Sequence, residues 1–104
     1  MNILFNCPNL FVKGNITESK LGGIESLTLA LAKELSNKKI KVSITTNQNK
    51  IKIKNKIRII PINDLKKKPN KFIFDTIISS NDALIFNYFP QCKNKILWLH
   101  NILQ

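Results

Sequence analysis

The stretch LGGIESLTLALAKELSNKKIKVSITT, residues 21–46, contains a helix pattern followed directly by a strand pattern. Its apolar residues recur at three- and four-residue steps, as Ile24, Leu27, Leu31 and Leu35. That spacing predicts an amphipathic helix over about 24–37, because one face of a helix repeats every 3.6 residues. Asn37 is expected to end the helix in the left-handed conformation that glycine more often adopts. Residues 40–46 then alternate and are β-branched, which predicts a strand.

The segments on either side complete an alternating pattern of strands and helices. Short apolar runs predict four more strands, at residues 2–6, 56–62, 82–88 and 96–100. The spacing within 70–80 favours a short helix, although its β-branched residues leave a strand as the alternative.

Residues 50–54 alternate but carry a lysine at every second position. An exposed edge ribbon and a solvated linker are equally compatible with that pattern.

Apolar strands separated by a crossover helix predict a parallel sheet that is covered on both faces. We therefore expect an α/β fold, with a Rossmann-like, doubly wound, mostly parallel sheet of about five strands in the order 3-2-1-4-5. Residues 1–104 would form one domain. Because a parallel edge strand normally needs a covering helix, we expect this domain to be truncated at its C-terminal end.

The charge balance is strongly basic, with 17 Lys and Arg against 6 Asp and Glu, for a net charge of +11. Arg58 is the only arginine. Proteins that read nucleic acids rely on arginine for bidentate contacts, so no nucleic-acid partner is expected. The lysine-rich segments 50–56 and 66–71 are interpreted as solvated surface, with contact to anionic lipid as the alternative.

Cys7 and Cys92 are too few for a disulfide framework and lack the spacing of metal ligands. We interpret them as free thiols in a reducing cytoplasm, and expect neither a metal nor a cofactor. No apolar run approaches the ~18 residues of a membrane span. The N-terminus lacks the basic and long apolar regions of a secretory signal, which also favours a cytoplasmic protein.

Ligands of open α/β sheets bind at the carboxyl ends of the strands, beside the point where the strand order reverses. That point is expected between the first and fourth strands. Three features should meet there: Gly22-Gly23 at the start of the helix, Asn87-Tyr88 after strand four, and His100-Asn101 after strand five.

Each of these features has a functional and a structural interpretation. Two glycines let the backbone approach a phosphate at a helix N-terminus, but a turn that needs positive φ would use them equally. His100 could donate a hydrogen bond or act as a general acid or base, or it could be structural. An ordinary NAD site is not expected, because residues 45–47 at the end of strand two include no acidic residue.

Aromatic residues gather in the last third of the chain, as Phe86, Tyr88, Phe89 and Trp98. Their alternation along predicted strands favours packing in the core over an exposed binding platform.

Three motifs stand in a characteristic order: Gly22-Gly23-Ile24-Glu25 before a Leu- and Ala-rich helix, Asp82 at the start of the strand 82–88, and a strand that ends in His100. In this order the sequence resembles the N-terminal domain of the family 4 glycosyltransferases of GT-B fold.

The resemblance implies an enzyme that moves a sugar from a nucleotide-sugar donor to a glycan or lipid acceptor, with retention and without a required metal. Synthesis of a cell envelope polysaccharide is a typical setting, in the cytoplasm or at the inner face of the membrane in contact with anionic lipid. This half would bind acceptor, and a missing C-terminal domain would bind the nucleotide. Residues 1–104 alone are expected to be inactive, because one wall of the cleft would be absent.

The same resemblance implies roles for individual residues. The backbone of Gly22 and Gly23 would approach the donor diphosphate, and His100 would be catalytic, facing the donor sugar. Acceptor or substrate contacts would come from Asn87, Tyr88 and Asn101.

Two other functions remain open from the sequence. The chain could be a stand-alone basic α/β module that captures a phosphorylated ligand or partner through Gly22-Gly23. It could also belong to an oxidoreductase with an unusual cofactor loop.

Overall fold

The computed structural model describes residues 1–7, 23–46, 52–54 and 56–99. The strands are Asn2–Asn6 (β1), Lys41–Thr46 (β2), Lys52–Lys54 (β3), Ile57–Pro61 (β4), Thr76–Ser80 (β5) and Asn94–Trp98 (β6). The α-helices are Gly23–Asn37 (α1) and Ile62–Lys67 (α2), and the 3-10 helices are Pro69–Lys71 and Leu84–Tyr88.

The described strands form one sheet in the order β3-β4-β2-β1-β5-β6. The five strands β4, β2, β1, β5 and β6 are parallel, and β3 pairs antiparallel with β4 at the edge. This confirms the predicted Rossmann-like, mostly parallel α/β sheet and its order. Residues 52–54 therefore form an edge strand, one of the two interpretations that the sequence left open.

The prediction for the fourth strand is wrong. Residues 82–88 were expected to be that strand, but Leu84–Tyr88 is a 3-10 helix, and the strand is Thr76–Ser80. The β-branched residues within 70–80 left a strand open as the alternative to a helix. The burial of this segment favours the strand, since Ile77 is fully buried. Within 84–88 only Ile85 is buried, whereas Leu84 is 71% exposed, so this segment does not fit a strand inside a sheet.

The apolar residues of alternate strand positions form two separate cores. Helix α1 covers one face, whose buried residues are Ile3, Phe5, Cys7, Leu29, Ala32, Val42, Ile44, Ile57 and Ile59. Helix α2 and the segments around both 3-10 helices cover the other, with Leu4, Ile60, Leu65, Phe74, Ile77, Ile85 and Phe89 buried. The sheet is thus covered on both faces near its centre, as the near-continuous apolar strands predicted.

Helix α1 ends differently from the prediction. Asn37 is its last helical residue, and Lys39 adopts the left-handed conformation, with a φ of 65°. The N–H groups of Ile40 and Lys39 donate to the carbonyls of Leu35 and Ser36, at 3.4 and 3.3 Å. These two bonds form a Schellman motif, which places the positive φ after the last helical turn rather than within it.

Candidate functional site

The strand order reverses at β1, which pairs with β2 on one side and with β5 on the other. The connection from β1 to β2 runs through α1 on one face, whereas α2, between β4 and β5, packs on the other. Such a reversal opens a crevice at the carboxyl ends of the two central strands. The sequence placed the reversal between the first and fourth strands, and the structure places it between β1 and β5.

Asn6, the last residue of β1, is fully buried at this edge. Its Nδ2 donates to the Ser79 Oγ at 3.0 Å and to the Asp82 Oδ2 at 3.1 Å. Its Oδ1 accepts a hydrogen bond from the Thr45 Oγ1 at 3.0 Å. One amide therefore joins the ends of β2, β1 and β5, with both of its N–H donors and its oxygen engaged.

The Thr45 hydroxyl extends this network toward the chain that leaves β1. Thr45 is 1% exposed, and its Oγ1 accepts a hydrogen bond from the backbone N–H of Cys7 at 3.1 Å. The hydroxyl thus both donates and accepts within the protein, so it fixes the direction in which the chain leaves the sheet. At this position near the end of β2, Thr45 is a structural residue.

The turn after β5 is built around Asp82. Its Oδ1 accepts a hydrogen bond from the Leu84 N–H at 3.1 Å, and its backbone carbonyl accepts one from the Ser79 Oγ at 2.6 Å. Asn81 adopts the left-handed conformation, with a φ of 58°, which asparagine tolerates better than most residues. These contacts turn the chain sharply out of the sheet and start the 3-10 helix.

Among the described residues at this edge, the Asp82 carboxylate has a clear capacity to bind a ligand. It is half-buried, and each of its oxygens accepts one protein hydrogen bond. A carboxylate offers about four lone-pair sites, so it can accept further bonds from the hydroxyl groups of a ligand.

Of the predicted site residues, Gly23 lies within the described part of the chain. It is the first residue of α1, and a helix that follows a parallel strand starts at the carboxyl edge of the sheet. Gly22, His100 and Asn101 lie outside the described residues. Strand β6 ends at Trp98, two residues before the end of the predicted strand 96–100.

Asn87 and Tyr88 do not end a strand, which corrects the prediction that placed them at the ligand edge. Both are exposed residues near the end of the 3-10 helix, which leads away from Asp82 toward the start of β6. The Lys66 Nζ lies 5.8 Å from the centre of the Tyr88 ring. The structure therefore groups Tyr88 with α2 rather than with Gly23.

Asn6, Thr45 and Ser79 were not predicted as site residues, and Asp82 was noted only as the residue before a strand. A polar residue at the end of a buried strand is the signal they share, as in the run Asn2–Asn6. That signal identifies candidates but not partners, because the partners of Asn6 lie 39 to 76 positions away in the sequence.

Among the described residues, no group of three or more His, Cys, Asp or Glu side chains could hold a metal ion. None of the helices in the described ranges is long and apolar enough to cross a membrane. Comparisons of the chain with models of protein families, with curated proteins and with solved structures find no match.

Proposed function

We propose that this chain is the N-terminal, acceptor-side domain of a glycosyltransferase that moves a sugar from a nucleotide-sugar to a glycan or lipid acceptor. The proposal rests on the motif Gly22-Gly23-Ile24-Glu25 and its position. Gly23 opens α1, and α1 starts at the carboxyl edge of the sheet, where the strand order reverses. Function in open α/β sheets concentrates at this edge.

The role proposed for the start of α1 is to stabilise a diphosphate through the backbone N–H groups of its first turn. The first N–H groups of a helix have no partner within the helix, and the helix dipole adds partial positive charge at the same end. A diphosphate leaving group gains negative charge as the sugar departs. Amides fixed at the start of α1 would stabilise that charge in the transition state. A residue without a Cβ at position 23 would let the phosphate come close.

Asp82 is proposed to contribute to acceptor binding. Its carboxylate lies at the same edge, held through Asn6 and the Leu84 N–H. Sugars present several hydroxyl groups as hydrogen-bond donors. A carboxylate held in a fixed position orients a sugar by accepting a hydrogen bond from such a hydroxyl. His100 remains the proposed catalytic residue facing the donor sugar, in a retaining reaction that needs no metal.

The proposal is tested first in the source DNA. We expect the reading frame to continue past Gln104 into a second α/β domain that carries two glutamates a few turns apart. The longer protein should then turn over a nucleotide-sugar, and His100→Ala should reduce that turnover strongly. A stop codon directly after Gln104 would contradict the proposal.

A second experiment examines the start of α1 directly. Inorganic pyrophosphate should shift the amide resonances of residues 23–25 in ¹⁵N-labelled protein, and Gly23→Val should abolish those shifts. Ala30→Val is the matched control, because Ala30 is exposed in the middle of α1 and gains the same β-branched side chain. Equal pyrophosphate binding by wild type and Gly23→Val would remove the proposed phosphate site. Pyrophosphate binding without turnover by the longer protein would favour the stand-alone phosphate-binding module instead.

A further inference from the structure

A cleft of about 410 Å³ lies at the opposite edge of the sheet from Asn6. Its walls come from the segment that leads into β5 and the segment that leads into β6, so it marks the amino ends of these strands. The wall is mostly aromatic and apolar, including Phe72, Ile73, Phe74, Tyr88, Phe89 and Pro90. Nothing in the proposed glycosyltransferase function uses this cleft.

The back of the cleft is fixed by aromatic packing. The rings of Phe72 and Phe74 are stacked, with centroids 6.4 Å apart and planes 4° from parallel. Phe89 meets Phe74 edge to face at 5.6 Å. Phe74 and Phe89 are buried in the core beneath, so they support the exposed part of the wall from behind.

The outer wall exposes apolar surface to water. Ile73 is 78% exposed and Tyr88 is 37% exposed, and both line the cleft. A single exposed apolar residue is ordinary, but here the exposed side chains border a concave aromatic wall. The volume lies toward the lower end of the range typical of small-molecule pockets, about 300–1,000 Å³.

Three lysines lie near residues of this wall, and none of them is among the residues that line the cleft. The Lys66 Nζ lies 5.8 Å from the Tyr88 ring centre, and the Lys95 Nζ donates to the Pro90 carbonyl at 3.4 Å. Lys71 lies between two residues of the wall in the sequence and is exposed. Among the described residues, neither Asp nor Glu lines the cleft. The nearby Asp75 already accepts a hydrogen bond from the Asn2 N–H at 2.7 Å.

We infer that the cleft binds a dissolved amphiphilic anion, with an aryl or short acyl body against the aromatic wall and a phosphate or carboxylate near the lysines. The apolar wall supplies affinity through the surface that it removes from water. The lysines select a negative head group, since an ammonium group attracts an anion at the rim without full desolvation. A ligand with only one of these two parts would use only part of the site.

Octyl phosphate, below the concentration at which it forms micelles, is the probe. In ¹⁵N-labelled protein it should shift the amides of residues 72–74, 88, 89, 91 and 92 with saturation. Inorganic phosphate and octanol, which each carry one part of the probe, should bind at least tenfold more weakly. Equal binding of inorganic phosphate and octyl phosphate would overturn the inference, because charge alone would then explain it.

Two pairs of variants test whether octyl phosphate binds in the cleft or elsewhere on the surface of the protein. Ile73→Glu should weaken octyl phosphate at least tenfold, because it removes an apolar wall residue and places a like charge beside the ligand. A tenfold loss corresponds to about 1.4 kcal/mol. Leu84→Glu is the matched control, since Leu84 is 71% exposed and does not line the cleft. Both sites are exposed, so both variants should fold.

Lys66→Gln should weaken binding about threefold, a small effect because salt screens exposed charges. Lys38→Gln, an exposed lysine after α1, should leave binding within twofold of wild type. Equal losses for Ile73→Glu and Leu84→Glu would contradict a site in the cleft. If the protein binds phosphatidylglycerol vesicles but does not respond to octyl phosphate, its partner is a membrane surface and not a dissolved ligand. That result would overturn the inference.

Discussion

Asn2 and Asn6 stand at the two ends of β1, on the same face, and each ties β1 to the chain around β5. The Asn6 amide is fully buried and makes three side-chain hydrogen bonds, to Ser79, Asp82 and Thr45. The Asn2 amide is only half-buried, and its Nδ2 donates to the Ile73 carbonyl at 3.0 Å.

The difference between the two asparagines is mainly one of desolvation. Near the surface, water replaces a lost hydrogen bond, so the net contribution is small. In the interior nothing replaces it, and each group left without a partner costs about 1–3 kcal/mol. An asparagine at the carboxyl end of β1 should therefore stabilise the fold strongly, whereas an asparagine at its amino end should contribute little.

The largest effect is expected from Asn6→Ala. It removes the partner of the Thr45 hydroxyl and of one Asp82 oxygen at a buried site, so the free energy of unfolding should fall by about 3 kcal/mol. Urea denaturation followed by circular dichroism measures this change. A loss below about 1 kcal/mol would mean that water or a rearranged side chain satisfies the groups that Asn6 leaves.

Thr45→Val should have the next largest effect. It preserves the shape of the side chain but leaves the Cys7 N–H and the Asn6 Oδ1 without their shared hydroxyl. We expect a loss of about 2 kcal/mol in the free energy of unfolding. Thr45→Ser, which keeps the hydroxyl and removes one methyl group, should lose only about 1 kcal/mol. The reverse ranking would show that packing of the methyl group, not the network, stabilises this edge.

The hydrogen-bond network around Asn6 shows which parts of the fold and the site the sequence could predict and which it could not. The apolar runs of β1 and β4 and the alternating, β-branched run of β2 predicted their strands. The sequence favoured a helix within 70–80 and a strand at 82–88, whereas the structure has a strand at Thr76–Ser80 and a 3-10 helix at Leu84–Tyr88. Both segments contain β-branched or aromatic residues, and only burial separates them. Asn6 meets Ser79 only because β1 pairs with β5, so the site could not be predicted while the strand was placed at 82–88.

Lys39→Gly tests the turn between α1 and β2. Lys39 holds a φ of 65°, which costs a residue with a Cβ more than it costs glycine. The substitution should raise the free energy of unfolding by about 0.5–1 kcal/mol. Lys38→Gly is the control at the neighbouring position, where φ is not positive, and it should not stabilise the protein. Stabilisation by both would point to a charge effect instead.

The smallest effect is expected from Asn2→Ala. The substitution keeps the backbone N–H that donates to the Asp75 Oδ2 at 2.7 Å, and removes only the bond to the Ile73 carbonyl. The free energy of unfolding should fall by about 0.5 kcal/mol. A loss above about 2 kcal/mol would show that the amino edge is organised as firmly as the carboxyl edge.

The most direct test compares Asn6→Ala with Asn2→Ala in one urea denaturation experiment. We expect Asn6→Ala to lose at least about 2 kcal/mol more than Asn2→Ala, because Asn6 and its partners Ser79 and Thr45 are buried. Equal losses would contradict it, since the buried network would then not be what holds the carboxyl edge of β1 and β5 together.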